Sequence, residues 1–267
     1  MKLPDTSYAG RHAELYDLFY AQKPYAEEAL FVHECIQKYA QGPAHFLLDL
    51  ACGTGSHAFE FERFGYQVVA VDYSADMLEQ ARHKAMKNNS RVQFCQQDMR
   101  LLNVSERPFD IVTCLFDSIG YVATNENILQ VLKGVHSHLK PNGIFIFEFW
   151  HAPAMLNNYE PLRIKRWNQI DRDILRISET ELDHARQLAH VSYTVYELFA
   201  DGTYSTFKEK QTNRYFLLQE MRALLATGGF EPLKAFNGFC EDELITDATW
   251  HVLMTARNVP HNKVLIL

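Results

Sequence analysis

The sequence predicts an α/β protein with a doubly wound, largely parallel sheet, an inserted antiparallel β subdomain and an N-terminal helical lid. Three observations support this fold class. Residues 46–150 alternate short apolar, β-rich runs with longer segments of helical period, as parallel strands and their covering helices do. Residues 161–216 alternate apolar and polar positions, which is typical of antiparallel strands with one buried face. Of the 267 residues, 47% are hydrophobic and 22% are charged, which provides a core and excludes disorder.

The elements follow in order along the chain. Residues 1–44 carry two helical patterns, at 11–20 and 24–39, and the first is rich in tyrosine. In the core, residues 45–150, strands are predicted at 46–50, 67–71, 92–95, 109–116 and 143–149. Ser74 and Thr124 stand at expected N-cap positions, each before a segment with apolar residues on one face. The first of these helices should end near residue 88, and the second before Pro141.

Beyond the core, residues 151–216 predict three or four antiparallel strands with a turn at Asp201-Gly202. Residues 217–267 predict a helix at 217–227, ended by a glycine pair, and strands at 230–236 and 250–257 that return to the core. No linker divides the chain, so we expect a single domain over residues 1–267. The sheet edges of the insert could pair in a homodimer.

Composition argues against several classes of protein. The net charge of -7 and the lack of a basic run argue against binding to nucleic acid. No apolar run approaches the roughly 18 residues of a membrane span, and the polar N-terminus has no signal-peptide pattern, so we expect a cytoplasmic protein without a membrane partner. The five cysteines are odd in number and include no CxxC pair, so we predict neither a disulfide framework nor a metal site.

The loop after the first predicted strand is the most informative stretch. Gly53 and Gly55 follow the strand and allow the backbone to approach a ligand closely, while Asp72, at the end of the second strand, could bind two ribose hydroxyls. This pattern also fits the dinucleotide fingerprint. Charge favours another ligand, because Asp49 would repel a pyrophosphate but attract the ammonium and sulfonium of S-adenosylmethionine.

A second acidic residue supports the same ligand. Asp98 follows the third predicted strand, where a carboxylate could accept a hydrogen bond from the amino group of adenine. Met77 and Met99 would be soft, apolar partners for the adenine ring.

The chain contains five segments in the following order: DLACGTG, VVAVDYSADML, QQDM, FDIVTCLFDSIGYV and LKPNGIFIFEFW. Their order and spacing are those of class I S-adenosylmethionine-dependent methyltransferases, which the chain resembles over nearly its whole length. The resemblance implies a Rossmann-like, seven-stranded sheet and S-adenosylmethionine as the cofactor. It also implies cofactor contacts from these motifs, including Ala51, which replaces the first glycine of the family loop, Tyr73 and Phe116.

Within this class the chain is similar to enzymes that N-methylate amino sugars on a thymidine diphosphate carrier. The matching residues are Tyr8 and the segment Glu14-Leu15-Tyr16-Asp17-Leu18, Lys23-x-Tyr25, Cys114-x-Phe116-x-Ser118-Ile119-Gly120, and Glu148-x-Trp150. The resemblance implies that Tyr16 and Tyr25 hold the amino-acid end or sulfonium region of the cofactor and that Tyr8 lies near the acceptor amine. Tyr121 stands where the family has histidine, Asp117 stands where it has serine, and its C-terminal arginine loop has no counterpart.

Acceptor residues are expected at the carboxyl edge of the sheet. We predict that Tyr8, Asp117 and Tyr121 orient or deprotonate the acceptor, with substrate contacts from the residues after the fifth strand, namely Glu148, Trp150 and His151. A basic segment containing Arg163, Lys165 and Arg166 could meet a diphosphate.

The expected function is methyl transfer to a small molecule, with the amine of a nucleotide-linked sugar as the leading acceptor. Two alternatives stay open: an O- or C-methyltransferase of another natural-product or cell-envelope pathway, and a module that binds the cofactor without turnover. A nucleotide dehydrogenase leaves Asp49 and Asp98 unexplained.

Overall fold

Two sheets that meet at a shared edge organise the chain, and the computed structural model describes residues 8–105 and 108–259. The strands of the main sheet run in the order β3-β2-β1-β4-β5-β11-β10. The first five are parallel, and β11 is antiparallel to both β5 and β10. Their bounds are β1 Phe46–Leu50, β2 Gln67–Asp72, β3 Gln93–Gln96, β4 Phe109–Cys114, β5 Leu139–His151, β10 Phe230–Asn237 and β11 His251–Asn258. The predicted seven-stranded Rossmann-like sheet is confirmed.

Two helices begin at the N-caps that the local sequence predicts. Ser74 accepts a hydrogen bond from Met77 N–H, and Thr124 accepts one from Asn127 N–H, so both act as N-caps. Asn89 ends the first of these helices in a left-handed conformation. The bounds are α1 Arg11–Phe19, α2 Tyr25–Tyr39, α3 Ser56–Arg63, α4 Ala75–Asn88, α5 Asn125–His138, α6 Ala152–Asn158 and α7 Leu218–Thr227. Short 3-10 helices span Met99–Leu101 and Ser118–Val122.

The central strands are buried on both faces, which explains their nearly continuous apolar sequence. Leu48, Val112 and Phe145 face one hydrophobic cluster, together with the apolar sides of α5 and α7. Leu47 and Ile111 face a second cluster, which includes residues of α2 and α3. The polar strand residues at the carboxyl edge are thereby held on a rigid support.

The insert, predicted to have three or four antiparallel strands, is a four-stranded antiparallel sheet in the order β6-β7-β8-β9. Its strands are β6 Leu162–Asn168, β7 Arg172–Asp183, β8 Leu188–Phe199 and β9 Tyr204–Phe216. β9 runs on to the main sheet, where Tyr215 and Phe216 pair in parallel with Trp150 and His151 at the end of β5. The insert is therefore attached directly to the carboxyl edge of the main sheet.

The N-terminal helices cover two different surfaces. α1 contacts α4 and also packs on the insert, where the Phe19 ring lies 4.9 Å from that of Trp167. α2 packs against α3. The role of residues 1–44 as a lid stays a prediction. Residues 1–7 of this segment, and residues 260–267 of the predicted C-terminal segment 217–267, lie outside the described residues. None of the helices within residues 8–105 and 108–259 has the length and apolar character needed to cross a membrane.

Candidate functional site

Two adjoining cavities lie where β1, β2 and β4 end. The larger has a volume of about 1100 Å³ and extends from the ends of these strands to the insert. The smaller has a volume of about 30 Å³ and is enclosed by the glycine loop and residues near the start of α2. Five residues line both cavities and so mark their junction: Tyr16, Ala51, Gly53, Phe116 and Ser118.

The glycine loop is tied to the end of β2 by one carboxylate. Asp72 accepts the N–H of Gly53 and the N–H of Ser74, each at 2.8 Å. Burial raises the pKa of Asp72, although these backbone donors favour its ionised form. Each carboxylate oxygen has a second lone pair, so Asp72 can still accept hydrogen bonds from ribose hydroxyls. A Cβ at Gly53 would come within 3.3 Å of the Met77 methyl carbon, so the wall has little room for a larger residue.

Gly55 has a different role from the one expected. It lines neither cavity, has φ of 80° and immediately precedes α3. A Cβ here would lie 2.9 Å from the Phe94 ring. The second glycine of the loop is therefore explained by backbone conformation and close packing.

The outer part of the large cavity contains the predicted partners of the adenosine moiety. Tyr73, Met77, Asp98 and Met99 all line it. Arg100 donates to both oxygens of Asp98, with Nε at 2.9 and 3.0 Å. Burial would raise the pKa of Asp98, but these hydrogen bonds hold it below its ordinary value. An adenine amino group would thus meet an ionised carboxylate that Arg100 keeps in place.

The small cavity has an acidic floor. Asp49 lines it and accepts a hydrogen bond from the Thr113 hydroxyl at 2.7 Å. Burial raises the pKa of Asp49 to about 7. Tyr16 and Tyr25 form other parts of its wall, in agreement with the predicted grouping. A bound ammonium group would favour the ionised form of Asp49.

A buried histidine in the same wall was not among the site residues predicted from the sequence. His57 lies 2.7 Å from Glu28 through its Nε2, and the ring of Tyr25 packs edge-on against it. Burial lowers the pKa of His57, although Glu28 opposes this. Lys23 pairs with the same carboxylate. The pairing crosses from α2 to α3, and no local sequence signal indicates it.

Two tyrosines meet beyond the junction. The hydroxyls of Tyr8 and Tyr121 are in hydrogen-bond contact, and both approach Gln211 Oε1, at 3.2 and 3.4 Å. Gln211 in turn donates to Glu209 at 2.6 Å, and Glu209 Oε2 lies 2.8 Å from His12 Nδ1. Burial raises the pKa of both tyrosines far above the ordinary value, so both phenols are neutral at physiological pH.

The far end of the large cavity is built by residues that the sequence analysis did not select. They come from the β7–β8 hairpin, from β8 and β9, and from the start of α5: Ala185, Arg186, Gln187, Leu188, His190, Thr212, Arg214 and the run 123–127. Arg214 is paired with Glu220 at 2.5 Å. Alternation of apolar and polar residues predicts that the insert forms a sheet. It does not predict which end of that sheet lies against the main sheet, so these residues could not be selected from the sequence.

Besides Gly55, four predicted site residues do not reach either cavity wall. Asp117 is buried with Oδ2 at 2.8 Å from His251 Nδ1, and Glu148 Oε1 lies 3.4 Å from the same nitrogen. Trp150 packs in a small apolar cluster of the insert, and the Nδ1 of His151 lies 3.2 Å from the Thr249 carbonyl oxygen.

The predicted basic segment also lies elsewhere. Arg163, Lys165 and Arg166 belong to β6, and none of them lines the two cavities. Arg163 pairs with Glu160, and Arg166 pairs with Asp173 across the hairpin.

Comparison with known proteins identifies a methyltransferase domain in the chain. The family profile described as "Methyltransferase domain" matches residues 47–143. The dTDP-3-amino-3,4,6-trideoxy-alpha-D-glucopyranose N,N-dimethyltransferase of Streptomyces venezuelae is 35% identical over 144 residues, which are 53% of this chain and 58% of that protein.

Solved structures share the fold over nearly the full length. An S-adenosylmethionine-dependent methyltransferase from Clostridium acetobutylicum has a TM-score of 0.80 at 22% identity, covering 93% of this chain and 98% of that one. The S-adenosylmethionine-bound amino pentose methyltransferase of Micromonospora echinaspora has a TM-score of 0.76 at 23% identity, covering 92% and 97%. With its glycine loop, its strand-end carboxylates and its sheet order, the chain contains a methyltransferase domain, has the fold of S-adenosylmethionine-dependent methyltransferases and is similar in sequence to dTDP-amino-sugar N-methyltransferases.

Proposed function

We propose that this methyltransferase transfers a methyl group to the amine of a nucleotide-linked sugar. One observation carries the proposal: the large cavity runs from the cofactor junction past Tyr8 and Tyr121 to an end lined by Arg186 and Arg214. A long acceptor with a reactive group at one end and an anionic group at the other matches that order. The relative from Streptomyces venezuelae, named for an amino sugar on a dTDP carrier, supports this class of acceptor.

The cofactor would occupy the junction and the two regions beside it. Asp49, Tyr16 and Tyr25 would hold its amino-acid end in the small cavity, and Asp72 and Asp98 would hold the ribose and adenine. When bound, it supplies an electrophilic methyl group. The chain itself must bring an acceptor lone pair into line with that group, and positioning of this kind is a large part of catalysis in such displacements.

The phenol pair favours an amine over a hydroxyl acceptor. Burial raises the pKa of Tyr8 and Tyr121, so neither is an effective base at neutral pH. Either phenol oxygen can accept a hydrogen bond from an amine N–H, which turns the nitrogen lone pair away from the tyrosines. A hydroxyl acceptor needs a base more strongly, because its neutral oxygen is a weak nucleophile. Tyr8 and Tyr121 would thus orient the amine.

The anionic end would lie on the insert. Arg186, on the hairpin between β7 and β8, and His190, on β8, line this part of the cavity. Arg214 approaches the carbonyl of Ala123 at 3.4 Å, just before the start of α5. Guanidinium groups and a helix N-terminus are common partners of phosphate groups. These residues would replace the basic β6 segment as the diphosphate contacts.

The test is intact-mass analysis after incubation with S-adenosylmethionine and a matched panel of nucleotide-linked sugars. The panel contains 3-amino, 4-amino and hydroxy sugars on the same dTDP carrier, together with the free amino sugars. A gain of about 14 Da per methyl group on carrier-linked amines alone is expected. Methylation of hydroxy sugars alone would contradict the amine assignment and favour the O-methylating alternative. Binding of S-adenosylhomocysteine without product from any acceptor would favour a non-catalytic module or an acceptor of another class.

A further inference from the structure

The turn after β4 has an unfavourable backbone conformation at the junction of the two cavities. Phe116 and Asp117 are adjacent residues with φ of 56° and 57°, a region that residues other than glycine rarely adopt. Phe116 and Ser118, on either side of Asp117 in the sequence, line both cavities. Strain of this kind persists only where the surroundings determine the conformation strongly.

Three strands hold this turn through hydrogen bonds. On β5, Glu148 Oε2 accepts the N–H of Phe116 at 2.7 Å. On β9, Asn213 Nδ2 donates to the carbonyl oxygen of Asp117 at 3.2 Å. On β11, the Nδ1 of His251 lies 2.8 Å from Asp117 Oδ2 and 3.4 Å from Glu148 Oε1. His251 thereby joins the two carboxylates that hold the turn.

The charge on His251 decides whether this arrangement is favourable. Asp117 and Glu148 are 2% exposed each, and two ionised carboxylates this close and this buried repel each other. Burial and the charge of Asp117 raise the pKa of Glu148 to about 8. The charge of Asp117 raises the pKa of His251 to about 9, against the effect of burial. An imidazolium between them compensates the buried negative charge.

Other titratable groups face the cluster from neighbouring elements. Lys23, between α1 and α2, lowers the pKa of Glu148. Glu28, on α2, raises it. Cys114, at the end of β4, is buried beside the same carboxylates, which raise the pKa of its thiol further. The charge of Asp117 also raises the pKa of Tyr121. Among the residues that the structure describes, only His251 pairs with both carboxylates.

We propose that Asp117, Glu148 and His251 form a positioning unit that fixes the turn at residues 116–118, and that the unit holds this turn only while His251 is protonated. None of the three residues lines the cavities, so they act on the cofactor through Phe116 and Ser118. Loss of the imidazolium proton leaves the carboxylates uncompensated, and the strained turn then relaxes. Cofactor affinity and methyl transfer should weaken together at alkaline pH.

The experiment measures the dissociation constant of S-adenosylhomocysteine by calorimetry from pH 7 to 10.5 and needs no acceptor. The wild type is compared with His251→Gln, with Asp117→Asn and with His83→Gln, which changes an exposed histidine of α4. The ratio of the variant constant to the wild-type constant cancels the titration of the ligand. For His251→Gln we expect a ratio of about ten at pH 7 that approaches one above pH 10. For His83→Gln we expect a ratio of one throughout.

A merely structural role for His251 predicts a ratio that does not change with pH, and that result would overturn the proposal. If His251→Gln does not fold, as judged by circular dichroism, Asp117→Asn serves as the second variant, with the same expected convergence. Dialysis of the wild type against EDTA should leave affinity unchanged. A loss restored by Zn²⁺ would show instead that a cation joins the three side chains. Because the probe is S-adenosylhomocysteine, each result is independent of the acceptor.

Discussion

Asp72 joins the glycine loop to the proposed ribose site with one side chain. It accepts the N–H groups of Gly53 and Ser74, and it lines the large cavity. The same carboxylate thus fixes the loop conformation and presents acceptors to a ligand. Changing it should affect cofactor binding through both effects.

We expect Asp72→Ala to weaken binding of S-adenosylhomocysteine by about 10- to 150-fold, because hydrogen bonds to a charged group contribute roughly 1.5 to 3 kcal/mol. Calorimetry measures the dissociation constant, and circular dichroism checks the fold. Asp76→Asn, in the first turn of α4, is a matched control outside the cavity wall. Retention of full affinity by Asp72→Ala would contradict the proposed position of the ribose.

The phenol pair gives a second prediction at the residue scale. Tyr8→Phe and Tyr121→Phe should each lower kcat by about tenfold, because each change removes a hydroxyl proposed to orient the acceptor. Since the hydroxyls contact each other, the double variant should lose less than the product of the single losses. Single-turnover rates measure the effect, with binding of S-adenosylhomocysteine as the control. Fully additive losses would show that the hydroxyls act separately.

Among the elements, the start of α3 depends on a glycine that touches no cavity. Gly55→Ala should destabilise the protein by about 2 to 3 kcal/mol, because the new methyl group meets the Phe94 ring at 2.9 Å and φ is 80°. Gly65→Ala is the matched control, with φ of 90° and open space around the new Cβ. Its expected cost is about 1 kcal/mol. Urea unfolding measures both, and equal costs would contradict the packing account.

Attachment of α1 to the insert depends on a partly buried ion pair. Glu197 accepts from Arg11 Nε at 2.7 Å and Nη2 at 2.6 Å, and Arg172 Nε lies 2.8 Å away. The hydrogen bonds from Arg11 hold the pKa of Glu197 below its ordinary value. Removing its charge leaves two guanidinium groups without their shared partner.

Glu197→Gln should therefore accelerate amide hydrogen exchange in α1 by about 5- to 50-fold, equivalent to roughly 1 to 2 kcal/mol of local stability, while the strands of the main sheet change little. The effect is smaller than for a fully buried pair because the Arg11 side chain is 36% exposed. Glu181→Gln, at an exposed position of β7, is the control. Uniform acceleration across the protein would contradict a local role.

The fold was predictable wherever short-range signals decide structure. Ser74 and Thr124 cap their helices as expected, and alternation in the insert gave four strands with the predicted turn. The fourth strand was predicted to reach residue 116 but ends at Cys114, because the backbone then enters the left-handed turn. Helix α6 was missed, since its seven residues provide less than two full turns of periodicity.

The cofactor side of the site was also predictable, because strand ends and the glycine loop are local features. Of the predicted cofactor residues, all but Gly55 line one or both cavities. The acceptor side was not predictable to the same degree. Asp117 and Glu148 do lie near the carboxyl edge, but a turn and a distant histidine direct them away from the cavities. Their orientation depends on pairing between strands far apart in sequence.

For the whole molecule, stability should decline as pH rises from 7 to 9. His251 has a pKa raised from 6.5 to about 9, and Glu148 has one raised from 4.5 to about 8. Between pH 7 and 9 the folded state therefore binds more protons than the unfolded state, and the free energy of unfolding falls with pH. The contribution of His251 is complete below about pH 6.5 and is lost as pH passes about 9.

We expect a loss of about 1 to 2 kcal/mol over this range, a figure reduced because the imidazole is 42% exposed to solvent. Urea unfolding at successive pH values measures it. His251→Gln should flatten most of the dependence, whereas His83→Gln should leave it intact. A stability that rises between pH 7 and 9 would contradict the sign of both shifts.

The position of β11 between β5 and β10 has a consequence for synthesis of the protein. β5 contains buried apolar residues, including Ile144, Phe145 and Phe147, and residues 144–150 of this strand pair with residues 251–257 of β11. While a ribosome is still making the intervening hundred or so residues, this hydrophobic edge has no permanent neighbour. Nascent chains stalled in the insert should therefore recruit chaperones, and they should be released from them once β11 has emerged.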